Sequence, residues 1–247
     1  VEARRIVEVF EAAQTAGEGR ALLDGNLVEV PTYRTALRLI ARAEALARAV
    51  ELGVQRDVLA LGPGISADPS TGEFVRGLFA APELAGTPLV IDADGLNNIA
   101  GQTQLLKKRK APTVLTPHPG EMARLIGTDA AEVQQNRLAC ARDFATNFGV
   151  HVVLKGAATV IAHPDGSAYI NPTGNPGMAS GGMGDVLTGV IAGFITQGFT
   201  PNAATHAAVY LHGAAADTLA KTVGPIGYLA GEVMNTIPRE INKLIAM

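Results

Sequence analysis

The chain has 247 residues, enough for one large domain or two small ones, and this length alone does not decide between them. Its 20 Lys and Arg residues against 23 Asp and Glu residues give a formal net charge of −3. Because nucleic-acid binding normally requires a basic surface, and the one basic run, "KKRK" at 107–110, is typical of a cationic helix C-terminus, we expect no nucleic-acid partner.

The cysteine usage and the longest uncharged segment suggest where the protein acts. The chain has a single cysteine, Cys140, which falls in a helical pattern and is interpreted as a buried apolar residue. Because one cysteine cannot form a disulfide framework, we expect a cytoplasmic protein. Residues 186–216 carry no Asp, Glu, Lys or Arg, but glycines and polar residues interrupt the run before it reaches the ~20 apolar residues that a bilayer requires. We expect two buried helices there, no membrane partner and no secretory signal.

The first 56 residues are the least informative. The stretch "RTALRLIARAEALARAV" predicts a helix, whereas "VEARRIVEVF" fits a strand or a helix. From about residue 57 onward short apolar strands alternate with helical patterns, which indicates an α/β fold with a largely parallel sheet. No linker, repeat or low-complexity segment divides the chain, and we expect residues 1–247 to form a single three-layer domain.

Three predicted strands run into unusual exit turns. They lie in "DVLALG" (57–62), in "PLVIDADG" (88–95) and in "PTVLTPHPGEMARLIG", where a Pro-bracketed turn leads into a helix with Glu121 in its first turn. Between the first two strands, "STGEFVRGLF" predicts a helix with a capping box from Ser70 to Glu73.

The second half adds a hairpin and more helices. A helix is predicted at about 129–148, and "VHVVLKGAATVIAHPDGSAYI" then predicts strands on both sides of "KGA" with a turn at 164–166. Thr200 is the predicted N-cap of a later helix that has Pro201 at its first position. The three last helices are expected at about 185–197, 201–221 and 229–245.

The most unusual stretch is "GNPGMASGGMGDVLTG" at 174–189, which holds six of the 28 glycines. Its glycines precede a helix start at Asp185, where free N–H groups and the helix dipole favour an anion. Asp185 could merely cap the helix, but six glycines exceed what a cap requires. The spacing fits neither a P-loop nor a dinucleotide fingerprint. A glycine loop beside a carboxylate suits phosphoryl transfer to a hydroxyl, with Asp185 as general base.

These motifs resemble a known family. "LGPG", "DADGLN", "PHPGE", "KGAAT" and above all "GNPGMASGGMGDVLTG" are similar to the ADP- or ATP-dependent NAD(P)H-hydrate dehydratases of the ribokinase-like superfamily, from about residue 57 to the C-terminus. The resemblance implies a ribokinase-like fold and repair of hydrated NADH and NADPH (NADHX and NADPHX). In the reaction that the resemblance implies, ADP or ATP with Mg²⁺ would phosphorylate the ring hydroxyl, and phosphate would leave as the double bond reforms. It also implies a homotetramer.

The resemblance also implies roles for individual residues. Asp185 would contact the substrate hydroxyl and act as base, Gly64 would let the dinucleotide lie close to the backbone, and His118 would pack on or hydrogen-bond the hydrated nicotinamide. The residues expected to hold the nucleotide and the transferred phosphoryl group are Lys155, Gly156, Ala157, Ala158, Thr159, Gly181, Gly182, Met183 and Gly184. Without the resemblance, Lys155 and His118 fit ordinary solvated side chains.

Asp92, Asp94 and Asn97 follow one predicted strand, where they could orient the substrate or a hydrated Mg²⁺. A simple turn with satisfied carboxylates fits these residues equally well.

Two features keep alternatives open. Members of the family begin with a strand, an "HKG"-like segment and a Gly-rich helix start, which are not found before "LLDGNLVEVP", so we expect that segment to be absent or diverged. The same glycine loop and base would also serve a small-molecule kinase acting on a vitamin-precursor alcohol. A nucleotide-binding protein without catalysis is the third possibility.

Overall fold

The first 52 residues form two helices around a hairpin. In the computed structural model, which describes residues 1–246, these elements are α1 (Glu2–Thr15), β1 (Ala21–Leu23), β2 (Asn26–Val28) and α2 (Val30–Gly53). The stretch that fitted strand or helix is therefore helical. Phe10 is fully buried in this unit, and its ring stacks on that of Tyr33 with 4.7 Å between centroids.

The chain divides into two compact units, Val1–Leu52 and the part that begins at Gly53. The expectation of a single domain over residues 1–247 stays a prediction. Among residues 1–246, no helix combines the length and apolar character that crossing a bilayer requires.

The second unit is built around a six-stranded sheet with strand order β3-β4-β5-β6-β7-β8. The first four strands are parallel, and β7 and β8 are added antiparallel. The strands are β3 (Leu59–Leu61), β4 (Leu89–Ile91), β5 (Thr113–Leu115), β6 (His151–Leu154), β7 (Val160–Ala162) and β8 (Ala168–Ile170).

Helices cover both faces of this sheet. One face is covered by α3 (Pro69–Ala80), α4 (Ala93–Ile99), α5 (Pro119–Ile126), α6 (Ala130–Gln135) and α7 (Arg137–Phe148), and the other by α8 (Met183–Thr196) and α9 (Pro201–Thr222). The last helix, α10 (Ala230–Ile245), packs on α8 and α9. Short 3₁₀ helices lie at Pro82–Leu84, Thr103–Lys108 and Pro176–Met178. The α/β class with a mostly parallel sheet between helical layers is confirmed.

The strand side chains alternate between the two cores, as the period of two requires. Val90, Val114 and Val153 face the core that contains Leu187 of α8 and Val209 of α9. The intervening residues of the same strands face the opposite core, which contains residues of α3, α4, α5 and α7. Burial on both faces explains why β4, β5 and β6 are almost entirely apolar.

Two local predictions in this unit are wrong. The helix expected over 129–148 is interrupted at Asn136, which separates α6 from α7. The expected capping box from Ser70 does not form, because Asp68 is the N-cap of α3 and accepts a 2.8 Å hydrogen bond from the Ser70 amide. The Thr200 cap of α9 is confirmed, with Pro201 at the first position.

Cys140 on α7 packs against the core and is partly buried. Burial raises the pKa of its thiol, so the thiol stays protonated at neutral pH and is a poor nucleophile.

Candidate active site

A charged cluster lies where β4 and β6 end. Asp92, the first residue after β4, is 1% exposed, and its Oδ1 lies 2.5 Å from the Lys155 ammonium at the end of β6. Glu121 of α5 is also buried, and its Oε2 lies 3.7 Å from the same ammonium. Because parallel strands end at one edge of the sheet, residues separated by 63 positions in the chain meet here. Lys155 is therefore part of an ion-pair network and not a freely solvated lysine.

The first turns of α8 lie directly on this cluster. The Thr188 hydroxyl donates a 2.9 Å hydrogen bond to Oδ2 of Asp92, so both oxygens of this carboxylate have a partner. A Cβ atom added to Gly184 would lie 3.1 Å from Asp92 Oδ2 and 3.3 Å from Lys155 Nζ. Glycine at this position lets the helix backbone approach both charged groups closely.

The start of α8 is open for an anion. Its N-cap, Gly182, has a φ of +85° and provides no side chain to cap the first turn. Within residues 1–246, no hydrogen bond is found to the amides of Met183, Gly184 and Asp185. These N–H groups at the positive end of a 14-residue helix are therefore without a partner in the described chain, and Gly184 lies beside the Lys155 ammonium.

Asp185 is in the first turn of α8 and is exposed. Within the described chain its carboxylate has neither a hydrogen-bond donor nor a cationic partner. Asp92 and Asp185 thus differ sharply, since one carboxylate is buried and fully engaged and the other is available to a ligand.

His118 lies at the exit of β5 and caps α5. Its Nδ1 accepts hydrogen bonds from the amides of Gly120 at 3.0 Å and of Glu121 at 3.3 Å, while a Glu121 oxygen accepts from the His118 amide at 2.7 Å. The ring is half exposed. This reciprocal capping box orients the imidazole at the sheet edge and holds Glu121 beside Lys155.

Two polar side chains of α4 are joined by a hydrogen bond and linked to α5. The Asn97 amide donates to Asp94 Oδ1 at 3.1 Å, and Arg124 of α5 donates to Asn97 Oδ1 at 3.0 Å. Asp94 and Asn97 are therefore held together at this edge of the sheet.

The exit of β3 contains two glycines with different roles. Gly64 has a φ of +74° and is exposed, with open space where a Cβ would lie. Gly62 has a φ of +139°, and its Cβ would lie 1.7 Å from the carbonyl oxygen of Asp92. Gly62 is therefore the position where β3 and the start of α4 approach too closely for any side chain.

The loop between β6 and β7, residues 155–159, is held by hydrogen bonds from Arg137 of α7. The guanidinium donates to the carbonyls of Leu154 at 2.9 Å and Lys155 at 3.3 Å. A Cβ on Gly156 would lie 2.7 Å from it. The backbone of Gly156, Ala157 and Ala158 stays exposed, with Ala158 at a φ of +53°.

The structure thus brings Asp92, Lys155 and Gly184 into contact, and it pairs Asp94 with Asn97. Their expected roles toward substrate and nucleotide stay predictions. The contributions of Glu121, Thr188 and Arg137 were missed. Glu121 did have a signal, because a Glu three residues after a turn residue at a helix start is the pattern of a capping box.

This chain is similar in sequence to NAD(P)H-hydrate dehydratases and repair enzymes. The family model described as NAD(P)H-hydrate dehydratase matches residues 19–239. A bifunctional NAD(P)H-hydrate repair enzyme of Moorella thermoacetica is 48% identical over 201 residues, which are 81% of this chain and 37% of that protein. The chain thus spans little more than a third of the length of this relative.

Solved structures share the fold. A Bacillus subtilis ADP/ATP-dependent NAD(P)H-hydrate dehydratase, co-crystallised with ATP and Mg²⁺, aligns with a TM-score of 0.69 and 38% identity over 76% of this chain and 64% of that one. A ribokinase-like superfamily protein of Enterococcus faecalis aligns with a TM-score of 0.67 and 33% identity over 81% and 68%. The ribokinase-like fold is therefore confirmed. Since the family match spans most of the chain and includes every strand exit described above, the chain belongs to the NAD(P)H-hydrate dehydratase family.

Proposed function

We propose that this protein converts hydrated NADH and NADPH back to NADH and NADPH at the expense of ADP or ATP. The observation that carries the proposal is the start of α8, where unpaired backbone amides adjoin the Lys155 ammonium and the free carboxylate of Asp185 follows at once. Phosphoryl transfer to a hydroxyl requires an anion site of this kind beside a base.

The anion site has two sources of positive potential. The amides of Gly182, Met183 and Gly184 belong to the helix start, where the dipole favours negative charge. The Lys155 ammonium lies against Gly184, held by Asp92, so its position is fixed before any ligand binds. The family resemblance assigns the transferred phosphoryl group to this site, together with Gly181.

The nucleotide is assigned to the loop at 155–159. Its outward backbone is supported by Arg137, and the Thr159 hydroxyl bonds back to the Gly156 carbonyl at 3.1 Å. A preformed loop of this kind offers amides to phosphates without paying for ordering on binding.

Asp185 acts as the base. Its carboxylate removes the proton of the ring hydroxyl while the hydroxyl oxygen attacks the terminal phosphorus of the nucleotide. The phosphorylated ring then loses phosphate, which leaves with the C–O electron pair, and a proton leaves the neighbouring carbon as the double bond forms. The products are NADH or NADPH, inorganic phosphate and AMP or ADP.

The substrate is assigned to the neighbouring strand exits. Gly64, His118 and the Asp94–Asn97 pair border the same edge of the sheet as the anion site. The half-exposed imidazole of His118 presents a flat face suited to a nicotinamide ring.

Mg²⁺ is expected with the nucleotide, and the donor set fits a metal that the nucleotide brings with it. Among residues 1–246, no group of three or more His, Cys, Asp or Glu side chains could hold a metal alone. Mg²⁺ prefers phosphate oxygens, water and one or two carboxylates, and Asp94 is the carboxylate at the β4 exit with an oxygen to spare. When bound, Mg²⁺ would neutralise charge on the phosphates.

Resemblance to the family also supports a homotetramer and a cytoplasmic location as proposals. The oligomeric state is tested by size-exclusion chromatography with light scattering, where a mass other than four chains contradicts it.

The activity is tested by mixing the protein with chemically hydrated NADPH, Mg²⁺ and either ADP or ATP, and following the dihydronicotinamide absorbance together with phosphate release. We expect one phosphate for each NADPH restored. A stable phosphorylated product without phosphate release would identify a small-molecule kinase instead, and no change with either nucleotide would contradict both activities.

A further inference from the structure

The glycine-rich segment that begins at Gly174 and leads into α8 is held by two side chains from outside it and by one of its own. Such a segment loses more conformational freedom on ordering than any other, because glycine populates most of the backbone map. An anion site made of backbone amides therefore depends on whatever fixes the backbone. Three side chains, Asn175, Asp217 and Tyr228, do so here, and we refer to them as the loop clasp.

Asp217, near the end of α9, holds the start of the segment. Its Oδ2 accepts a 2.9 Å hydrogen bond from the Gly174 amide, and its Oδ1 accepts one of 2.9 Å from the Asn175 side-chain amide. A Cβ on Gly213, one turn earlier on α9, would lie 2.8 Å from the Gly174 nitrogen, so helix and segment are already in close contact. The carboxylate thus replaces water at two donors of the segment.

Tyr228 completes the clasp from the connection between α9 and α10. It is 1% exposed, and its hydroxyl donates to Asn175 Oδ1, which also accepts from the Gly177 amide at 3.0 Å. Burial raises the pKa of this phenol, which keeps it a donor at neutral pH. Each polar atom of the Asn175 side chain is therefore engaged by Asp217, Tyr228 or the segment itself.

The same connection packs along the segment. A Cβ on Gly177 would lie 2.5 Å from the Pro225 carbonyl and 2.6 Å from the Tyr228 hydroxyl, and a Cβ on Gly182 would lie 3.2 Å from Ala230 Cβ. The segment is thus in contact with the chain on the α9 side and on the α10 side before it reaches the first amides of α8.

We propose that Asp217 and Tyr228 are positioning residues for phosphoryl transfer, which act by fixing the glycine-rich segment so that the amides at the start of α8 meet the transferred group. They touch neither the Lys155–Asp92 pair nor Asp185. Loss of the clasp should therefore reduce the rate of transfer without removing the site that binds the hydrated dinucleotide. The kinetic part of this inference rests on the function proposed above, whereas its structural part does not.

Two substitutions test the clasp with little change in shape. Tyr228→Phe removes only the hydroxyl, and Asp217→Asn removes the charge and one acceptor. The matched controls are Tyr210→Phe, an exposed tyrosine on α9, and Thr218→Val, the residue after Asp217, whose hydroxyl bonds Glu240 of α10 and not the segment.

The first readout is amide hydrogen exchange of peptides that cover residues 174–184, with and without ADP. We expect exchange roughly fivefold faster in Tyr228→Phe and Asp217→Asn than in the wild type, with ADP protection reduced and with the sheet unchanged. The controls should exchange as the wild type does. Unchanged exchange in both clasp variants would overturn the inference, whether or not the protein dehydrates NADPHX.

The second readout is steady-state kinetics. We expect kcat to fall about tenfold in the clasp variants while the KM for hydrated NADPH stays within about twofold. An equal fall in Thr218→Val, or a rise of KM alone, would show a general effect on stability or substrate binding and would overturn the positioning role. An inactive wild type would contradict the proposed function and not the inference. In that case, amide hydrogen exchange of residues 174–184 with and without ADP tests the role of the loop clasp.

Discussion

The Lys155 ammonium lies 2.5 Å from Oδ1 of Asp92, at the ends of two strands that do not pair with each other but are separated by β5. The Lys155 amide also donates to the Pro117 carbonyl at 2.8 Å, which ties the exit of β6 to that of β5. Together these two contacts link three strand exits to the first turn of α8, where Gly184 lies against both charged groups.

Removing the Asp92 charge should destabilise the fold. In Asp92→Asn, the ammonium of Lys155 loses its nearest partner while it remains largely buried at 20% exposure. Breaking a buried pair from one side typically costs about 3–5 kcal/mol, and the partial exposure of Lys155 reduces this to about 2–4 kcal/mol. Urea unfolding followed by circular dichroism measures the free energy of unfolding.

The matched control is Asp94→Asn, two residues further on, where the carboxylate accepts one side-chain hydrogen bond and is half-buried. We expect a loss below about 1 kcal/mol there. Equal stability of the two variants would contradict the structural role of Asp92.

A methyl group at Gly184 should impair the site, whereas one at Gly189 on the same helix should not. In Gly184→Ala, the Cβ would press on Asp92 Oδ2 at 3.1 Å and Lys155 Nζ at 3.3 Å, so we expect turnover to fall about tenfold. In Gly189→Ala, the Cβ meets open space inside α8, and stability should rise by about 0.5–1 kcal/mol with turnover retained. Wild-type turnover in Gly184→Ala would show that close approach is unnecessary.

The two glycines after β3 should differ in how strongly they tolerate alanine. Gly62→Ala places a Cβ 1.7 Å from the Asp92 carbonyl oxygen and should destabilise by more than about 3 kcal/mol. Gly64→Ala meets open space at a φ of +74° and should lose only about 1–2 kcal/mol. Thermal unfolding of the two variants gives the comparison, and a Gly62→Ala protein as stable as Gly64→Ala would refute the close approach.

Stability should fall in mild acid. Burial lowers the pKa of both His151 and His212 to about 4, against ~6.5 in the unfolded chain. Below pH 6.5 the unfolded state therefore binds more protons, so this stability is present above pH 6.5 and is lost as the pH falls toward 4. The two groups together should remove roughly 3–4 kcal/mol between pH 7 and pH 5.

The structural reasons differ between these two histidines. His151 Nδ1 lies 2.8 Å from Nδ1 of His163, and Nε2 of His163 lies 2.9 Å from Nε2 of His206. Protonation of one of these imidazoles therefore makes protonation of its neighbours less favourable. His212 is 6% exposed, and its Nε2 has no partner among residues 1–246. His212→Leu should therefore halve the loss between pH 7 and pH 5. Equal urea midpoints of the wild type at the two pH values would rule this explanation out.

The sequence was most informative about strand exits. Buried strands that run into polar turns mark the edge of a parallel sheet, and this pattern pointed to the turn that holds Asp92. The roles of His118 and Lys155 came from the family resemblance, because an isolated His or Lys at a strand exit also fits a solvated side chain. The strand pattern did not reveal that Asp92 holds Lys155, because that contact depends on how three strands align. Thr188 was missed for the same reason, since nothing near it in sequence indicates a bond to a residue 96 positions away.

Local competition explains the other errors. Asp68 and Ser70 are both residue types that favour the N-cap. Because Pro69 favours the first helical position, the residue before it, Asp68, is the N-cap. No Gly or Pro in the sequence marks the interruption at Asn136, and the helical spacing of apolar residues continues across it. Among the glycines, Gly62 and Gly64 look alike in the sequence, and only packing against α4 distinguishes them.

The decisive measurement compares Asp185→Asn with the wild type in both turnover of hydrated NADPH and affinity for ADP. The substitution keeps the size of an exposed side chain that has no internal partner among residues 1–246, so the fold and the amides of α8 should be unaffected. We predict that turnover falls by at least about 10²-fold while the dissociation constant for ADP changes by less than about threefold. Turnover close to the wild-type value would contradict the assignment of Asp185 as the base and the mechanism built on it.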